Sequence, residues 1–257
     1  MADRTYYAQH GEDALVLSAF AAPGYFVDIG ALDGVFLSNT KALEEDGWTG
    51  LLIEAHPEHF ATLAETRPGA QRLHAAVADR EGELTFYATS FGSLSTFDKA
   101  QRDYFIKNRS DVTEDSYTEY QVRAGRTTTL LQEAGVPRDI DMLSIDIEGA
   151  ELPALEGLDF DAFDIKLLIV EKDDARAKAD IEHQVGALLQ SKGYHVARRL
   201  GANDFWVKDL ALSARLRDAR VDAVLAHGGE IHMDPGENTT PRGFWRRLRD
   251  SYNKRFG

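Results

Sequence analysis

The chain has 257 residues, no cysteine and a formal net charge of −14. That length suits one α/β domain with a sizeable core, and the missing cysteines exclude disulfides, thiolate nucleophiles, iron–sulfur clusters and Cys-ligated zinc. An acidic surface repels phosphate backbones, so nucleic acid is not an expected partner.

Residues 1–9 are polar, without the apolar core of a signal peptide. No stretch approaches the ~18 uninterrupted apolar residues of a membrane span, so a cytoplasmic location is expected.

In chain order, residues 24–29 read as a buried strand ending at Gly30, and 38–46 as a helix with Ser38 as N-cap and Gly47 as stop. Residues 48–54 form the next strand. Pro57 opens a helix at a position that tolerates proline, and 71–77 is a third strand. This alternation predicts a parallel sheet with right-handed crossovers. Residues 83–89 alternate polar and apolar as an added strand or hairpin. The stretch 91–120 is rich in Ser, Thr and Asp and irregular, apart from an amphipathic helix near 98–107. It is either a substrate lid, about 90–120, or a disordered loop.

Beyond it come a helix at 129–134, a strand at 141–147, a helix at 151–158, a strand at 166–171 and a helix at 180–192 stopped by Gly193. Residues 194–197 and 204–207 form a closing antiparallel pair. The expected architecture is α/β: a doubly wound, Rossmann-like sheet of about seven strands over 1–209. A helix and a basic aromatic tail follow over 210–257.

The sharpest motif is Phe26-Val27-Asp28-Ile29-Gly30-Ala31-Leu32-Asp33-Gly34. A strand ends in a glycine turn at the sheet edge where open α/β folds bind ligands. Glycine there lets a ligand approach the backbone. Dinucleotide sites carry Gly-x-Gly-x-x-Gly; this chain has Gly-x-x-x-Gly and lacks the middle glycine that admits a pyrophosphate. Asp28 repels a pyrophosphate and suits the ammonium group of a methionine moiety, so charge favours S-adenosylmethionine over NAD. Glu54 ends the next strand, where a carboxylate can accept both hydroxyls of a ribose. Val77 and Ala78 can flank an adenine ring, with Asp79 beside them as either a ligand contact or a turn former.

A second constellation is acidic. Asp146 and Glu148, on a strand, share one face, and Glu171 ends the following strand before Lys172, Asp173 and Asp174. Carboxylates gathered at one sheet edge are costly unless a ligand, cation or proton relieves them. One of Asp146, Glu148 and Glu171 can take the proton of an acceptor hydroxyl. Alternatively Asp146, Glu171 and Asp173 can hold Mg2+ or another divalent ion. Glu151, and less so Glu148, can equally serve as helix N-terminal charge. His56 and His59 have no evident metal partner and read as surface residues. Gln9, Glu12 and Asp13 either line the cofactor pocket or cap a helix as surface charge. Ser93 and Ser95, in the insertion, either meet substrate or are solvated loop residues.

These motifs together resemble the FkbM-type methyltransferase family over about residues 6–208. The likeness rests on Tyr7-Ala8-Gln9-His10-Gly11-Glu12-Asp13, the 26–34 turn, Ser38-Asn39-Thr40 and the run from Trp48 through Glu54-Ala55-His56-Pro57. It continues in Ile145-Asp146-Ile147-Glu148-Gly149-Ala150-Glu151 and Val170-Glu171. The resemblance implies a class I methyltransferase fold, S-adenosylmethionine as donor and O-methylation of sugar, glycan, glycolipid or secondary-metabolite hydroxyls. It implies that Asp28, Gly30 and Gly34 meet the methionine part and that Glu54 meets the ribose, with Ala31, Asn39 and Ala55 also among the cofactor-binding residues. Asp146 would face the methyl group. Lys172 departs from the family pattern.

The segment 244–256, with Phe244, Trp245, Tyr252 and Phe256 among five basic residues, can lie as a helix on an anionic membrane. It can equally dock on a partner or remain a solvated tail. Two other functions remain open for the whole chain. The acids weigh against a non-catalytic cofactor-fold assembly module; the missing middle glycine and Asp28 weigh against an NAD-dependent oxidoreductase.

Overall fold

The computed structural model of the protein describes residues 4–89, 94–147, 149–171, 179–219 and 229–231, with backbone alone at 179–182 and 229–231. Its elements follow in chain order. They are β1 (Arg4–Tyr6), α1 (Glu12–Ala19), β2 (Tyr25–Ile29), α2 (Lys41–Glu45), β3 (Thr49–Glu54), α3 (Pro57–Thr66), β4 (Gln71–His74), β5 (Ala76–Val77) and β6 (Gly82–Thr89). Then come α4 (Lys99–Asn108), β7 (Tyr117–Gly125), α5 (Thr127–Glu133), β8 (Asp139–Ile145), α6 (Glu151–Glu156), β9 (Asp164–Glu171) and α7 (Ala179–Ser191). The last are β10 (His195–Leu200), β11 (Asn203–Val207), α8 (Leu210–Asp218) and β12 (Gly229–Ile231).

Seven strands form the main sheet in the order β10-β11-β9-β8-β2-β3-β4. Numbered along the chain within that sheet, the order is 3-2-1-4-5-7-6 from the β4 edge. All neighbours are parallel except β11, which runs against both β9 and β10. The expected doubly wound sheet with a closing antiparallel pair is present.

Both faces of the sheet are covered, so its strands read as continuous apolar runs. In β9, Leu168 and Val170 enter one core while Leu167 and Ile169 enter the other. In β2, Val27 and Ile29 face the first core and Phe26 the second. Leu212 and Leu216 of α8 join Leu15 and Val16 of α1 in that second core. Among the described residues no helix is long and apolar enough to cross a membrane.

Three local differences from the sequence reading have physical causes. The run 71–77 is not one strand: β4 pairs with β3, and after Ala75 the chain leaves the main sheet so that β5 pairs with β7. The insertion is not wholly irregular, because β7 lies antiparallel to β6 over its whole length in a small second sheet. Charged outward residues mask the period-2 pattern of Tyr120, Val122 and Ala124, which pack inward. The second helix starts at Lys41, not Ser38. Ser38 nonetheless acts from outside the helix, its Oγ accepting the Thr40 and Lys41 amides at 3.3 and 3.1 Å.

Strand register sets up the site. Ile29 lies opposite Ile53 on one side and Ile145 on the other, and Ile145 lies opposite Val170. The next residue along the chain in each case is therefore Glu54, Gly30, Asp146 or Glu171, side by side along the carboxyl edge.

Candidate active site

A cavity of about 400 Å³ opens over that edge, a size suited to a small-molecule ligand. Its floor includes Asp28, Gly30, Ala31, Glu54, Asp146 and Glu171. Asn39, Ala55, Val77, Gln9 and Ala202 also line it.

Gly30 makes the floor possible. Its φ is +91°, and a Cβ there would lie 1.9 Å from the Asp146 carbonyl oxygen. The backbone just past β8 thus crosses where any other side chain would stand. Leu32 and Leu37 also have left-handed φ, at +52° and +54°. Both line the cavity, so backbone strain gathers at the site.

The carboxylates differ in what holds them. Glu54 is buried; its Oε2 accepts the Leu32 amide and its Oε1 the His56 amide, both at 2.7 Å. Burial, the largest influence, pushes its pKa up to about 7 against those hydrogen bonds. Asp28 is buried as well, and its Oδ2 accepts the Thr40 hydroxyl at 2.6 Å. Burial raises its pKa; Thr40 and Arg67 oppose the rise.

Asp146 is exposed to the cavity itself but walled by protein and short of bulk water, which raises its pKa. Its side chain is hydrogen-bonded to Glu171, and the charges of Glu151, Asp28 and Glu12 push in the same direction as desolvation. Two carboxyls joined in this way share one proton.

Asn39 is held by its amide, which donates to the Ser144 hydroxyl at 3.0 Å. The outer wall comes from β6 and the insertion: Phe86 of β6 and Phe97, Tyr104 and Phe105 of the insertion are apolar or aromatic, and Ser95 and Thr96 are polar. Arg109, paired with Asp111 at 2.8 Å, is the cation in this lining.

Several expectations need correction. Gly34 does not line the cavity: its φ is +80°, and a Cβ would lie 2.5 Å from Arg67 Cγ, so it is a packing glycine. Ala78 lies outside the lining too, its amide donating to the Gly125 carbonyl. Asp79 is exposed beside Arg80, as a turn former would be. Asp146 lies one residue past β8, not on the strand. Glu148, Lys172, Asp173, Asp174 and Ser93 lie outside the described residues, as does the 244–256 segment.

His56 and His59 are not surface residues. They are 4% and 3% exposed, with ring centroids 4.2 Å apart, because α3 turns them under the small sheet. Glu12 and Asp13 are fully buried and outside the lining. Glu12 holds the His10 amide and the Asn203 side chain, while Asp13 collects the Tyr7, Ala8 and Ala14 amides. Ser95 is not a solvated loop residue: it is buried in the cavity wall and accepts the Thr89 amide. Glu151 braces the 147–149 turn through the Ile147 and Gly149 amides. Among the described residues no group of three or more His, Asp or Glu is placed to hold a metal.

The 3-2-1-4-5-7-6 sheet, a glycine turn after its first strand and a carboxylate at the tip of its second define a class: S-adenosylmethionine-dependent methyltransferases of the class I fold. A family model for the methyltransferase FkbM domain matches residues 28–196. The chain belongs to that family, and it is a methyltransferase that uses S-adenosylmethionine. Methyltransferase 1 of Beauveria bassiana (strain ARSEF 2860) is 27% identical over 193 residues, spanning 70% of this chain and 76% of that protein.

Two solved structures are also similar. The TehB-like SAM-dependent methyltransferase from Corynebacterium glutamicum ATCC 13032 Kitasato has a TM-score of 0.39 and 12% identity, covering 77% of this chain and 85% of the other. A SAM-dependent methyltransferase from Aquifex aeolicus has a TM-score of 0.38 and 15% identity, covering 76% and 87%.

Proposed function

We propose that this protein is an O-methyltransferase acting on a hydroxyl of a sugar, glycan, glycolipid or secondary metabolite. The hydrogen-bonded pair Asp146–Glu171, beside the glycine gap of the sheet edge, carries this reading. Bound in the cavity, S-adenosylmethionine supplies a methyl group on a positively charged sulfur that an oxygen nucleophile can attack. The fit is chemical: the floor offers Asp28, Glu54, Asp146 and Glu171 to a cationic nucleoside, and Gly30 gives it room.

Asp28 takes the ammonium of the methionine part. Glu54 accepts the ribose hydroxyls on lone pairs that Leu32 and His56 leave over. Ala31 and Asn39 border the amino-acid end, and Ala55 and Val77 flank the base. The pair Asp146–Glu171 holds one proton and one negative charge, so it has room for one proton more. It accepts the acceptor's hydroxyl proton as the oxygen–carbon bond forms and the carbon–sulfur bond breaks. Enclosure among other acids raises its proton affinity, which favours that transfer. The acceptor then approaches under the 94–109 wall, and the 244–256 segment is a site for an anionic membrane or a partner.

The test is methyl transfer to a panel of glycan, simple-sugar and small-molecule hydroxyls, with Asp146→Asn beside the wild type. Transfer to a hydroxyl is expected, with kcat lowered about 100-fold by the substitution and S-adenosylhomocysteine affinity little changed. Transfer only to amines or thiols, or full kcat in the variant, contradicts the proposal. A second reading rests on the same facing carboxyls: a divalent ion held by Asp146 and Glu171 with Asp173. Under it, a chelator abolishes turnover and magnesium restores it; under the proton-sharing reading, turnover survives the chelator.

A further inference from the structure

Arg67 follows α3 and is 0% exposed, the largest fully buried side chain of the described residues. A buried guanidinium is tolerated only when its charge and all its donors are answered. Here each of its five N–H groups has a partner. Nε pairs with Glu44. Nη1 donates to the Gly34 carbonyl at 3.0 Å and the Ser38 hydroxyl at 3.3 Å. Nη2 donates to the Thr40 carbonyl at 3.3 Å and the Thr40 hydroxyl at 3.1 Å.

Four of these contacts fall on the 34–40 segment, which includes the cavity residues Leu37, Ser38 and Asn39. Gly34 is a glycine because the Arg67 stem occupies the place of its Cβ. The contact to the Thr40 hydroxyl sets a direction. Its oxygen takes a hydrogen from Arg67, so its own hydrogen goes to Asp28 Oδ2 at 2.6 Å. Among the described residues Thr40 is the side chain that hydrogen-bonds Asp28, and Asp28 Oδ1 is left to the cavity that the residue lines. Arg67 and Thr40 also oppose the rise in Asp28's proton affinity that burial causes.

We propose that Arg67 is a positioning residue of the donor site, acting through Thr40 to orient Asp28 toward the donor's amino-acid part. This rests on the reading of Asp28 as the group that holds that ammonium. Arg67 itself touches no ligand; it fixes the hydroxyl that fixes the carboxylate.

The experiment is calorimetric titration with two ligands: S-adenosylhomocysteine, and 5′-methylthioadenosine, which lacks the amino-acid part. Thr40→Val should weaken S-adenosylhomocysteine about tenfold or more, the worth of a charge-assisted hydrogen bond, yet leave methylthioadenosine within about twofold. Thr40→Ser, which keeps the hydroxyl, should restore binding. Arg67→Met should repeat the pattern of Thr40→Val; if it does not fold, the two Thr40 variants decide. S-adenosylhomocysteine binding unchanged in Thr40→Val overturns the inference. So does equal weakening of both ligands, which marks a general collapse of the loop. Asp28→Asn separates this inference from the reading beneath it. Wild-type affinity in Asp28→Asn sinks the reading of Asp28 itself; lost affinity there with an unaffected Thr40→Val sinks only the role of Arg67.

Discussion

At the residue scale, Glu54 braces a turn with the same carboxylate that is proposed to hold the donor's ribose. Each of its oxygens already accepts a backbone amide, so Glu54→Gln must set an NH2 against the Leu32 or the His56 N–H. An unsatisfied buried donor costs about 1–3 kcal/mol. Thermal melting should therefore show a lower Tm, and titration should show S-adenosylhomocysteine binding weakened about tenfold or more. A variant that keeps both values would remove Glu54 from the site. Asp28, Glu54, Asp146 and Glu171 were legible in the sequence because strand ends at a carboxyl edge have a fixed meaning in this architecture. Arg67, Glu12, Asp13, His56 and His59 were not. Polar residues read as exposed until their partners are known, and for Glu12 and Arg67 those partners are distant: Asn203 meets Glu12, and Gly34 meets Arg67.

At the scale of elements, the glycine turn after β2 carries the strongest constraint. In Gly30→Ala the added methyl would meet the Asp146 carbonyl at 1.9 Å in a backbone with φ +91°. Gly135→Ala is the control, with φ +67° and nothing within 4 Å of the added atom. Both substitutions incur the left-handed penalty, about 1–2 kcal/mol; only the first must also separate β2 from β8. Gly30→Ala should abolish donor binding and lower Tm well beyond Gly135→Ala, and equal melting of the two would contradict the crossing of backbones at the floor. The alternation of strand and helix announced the main sheet because its strands are buried on both faces and apolar throughout. β7 was hidden because its outward side chains are charged, and the break at Ala75 because a change of partner sheet leaves the local sequence apolar on both sides.

For the whole molecule, the buried acids make stability and ligand binding respond to pH with opposite signs. Glu54 and Asp13 have pKa values raised to about 7 by burial, and those of Asp28 and Asp146 are raised too. A carboxyl raised in the folded state binds its proton more tightly there than when unfolded. Its contribution to folded stability thus falls as pH climbs from about 4, the unfolded value, toward about 7. The buried His56 and His59, with lowered pKa values, push the other way, but they titrate with or without ligand. With the donor-binding roles proposed for Asp28 and Glu54, binding would call for their ionised forms. The rise in Tm caused by saturating S-adenosylhomocysteine should therefore grow from pH 5.5 to 8, whatever the free protein does. A flat rise across that range would detach these carboxyls from the ligand.

Under the proposed function, the cavity over the carboxyl edge would hold a nucleoside whose amino-acid end meets Asp28 and whose ribose meets Glu54. Calorimetric titration of the wild-type protein at pH 8 with S-adenosylhomocysteine, and separately with NADH, tests this most directly. Saturable one-to-one binding of the first is expected, with Tm raised by about 5 °C at a hundredfold excess over Kd, and none of the second. No heat and no thermal protection from S-adenosylhomocysteine, or tighter binding of NADH, would contradict it.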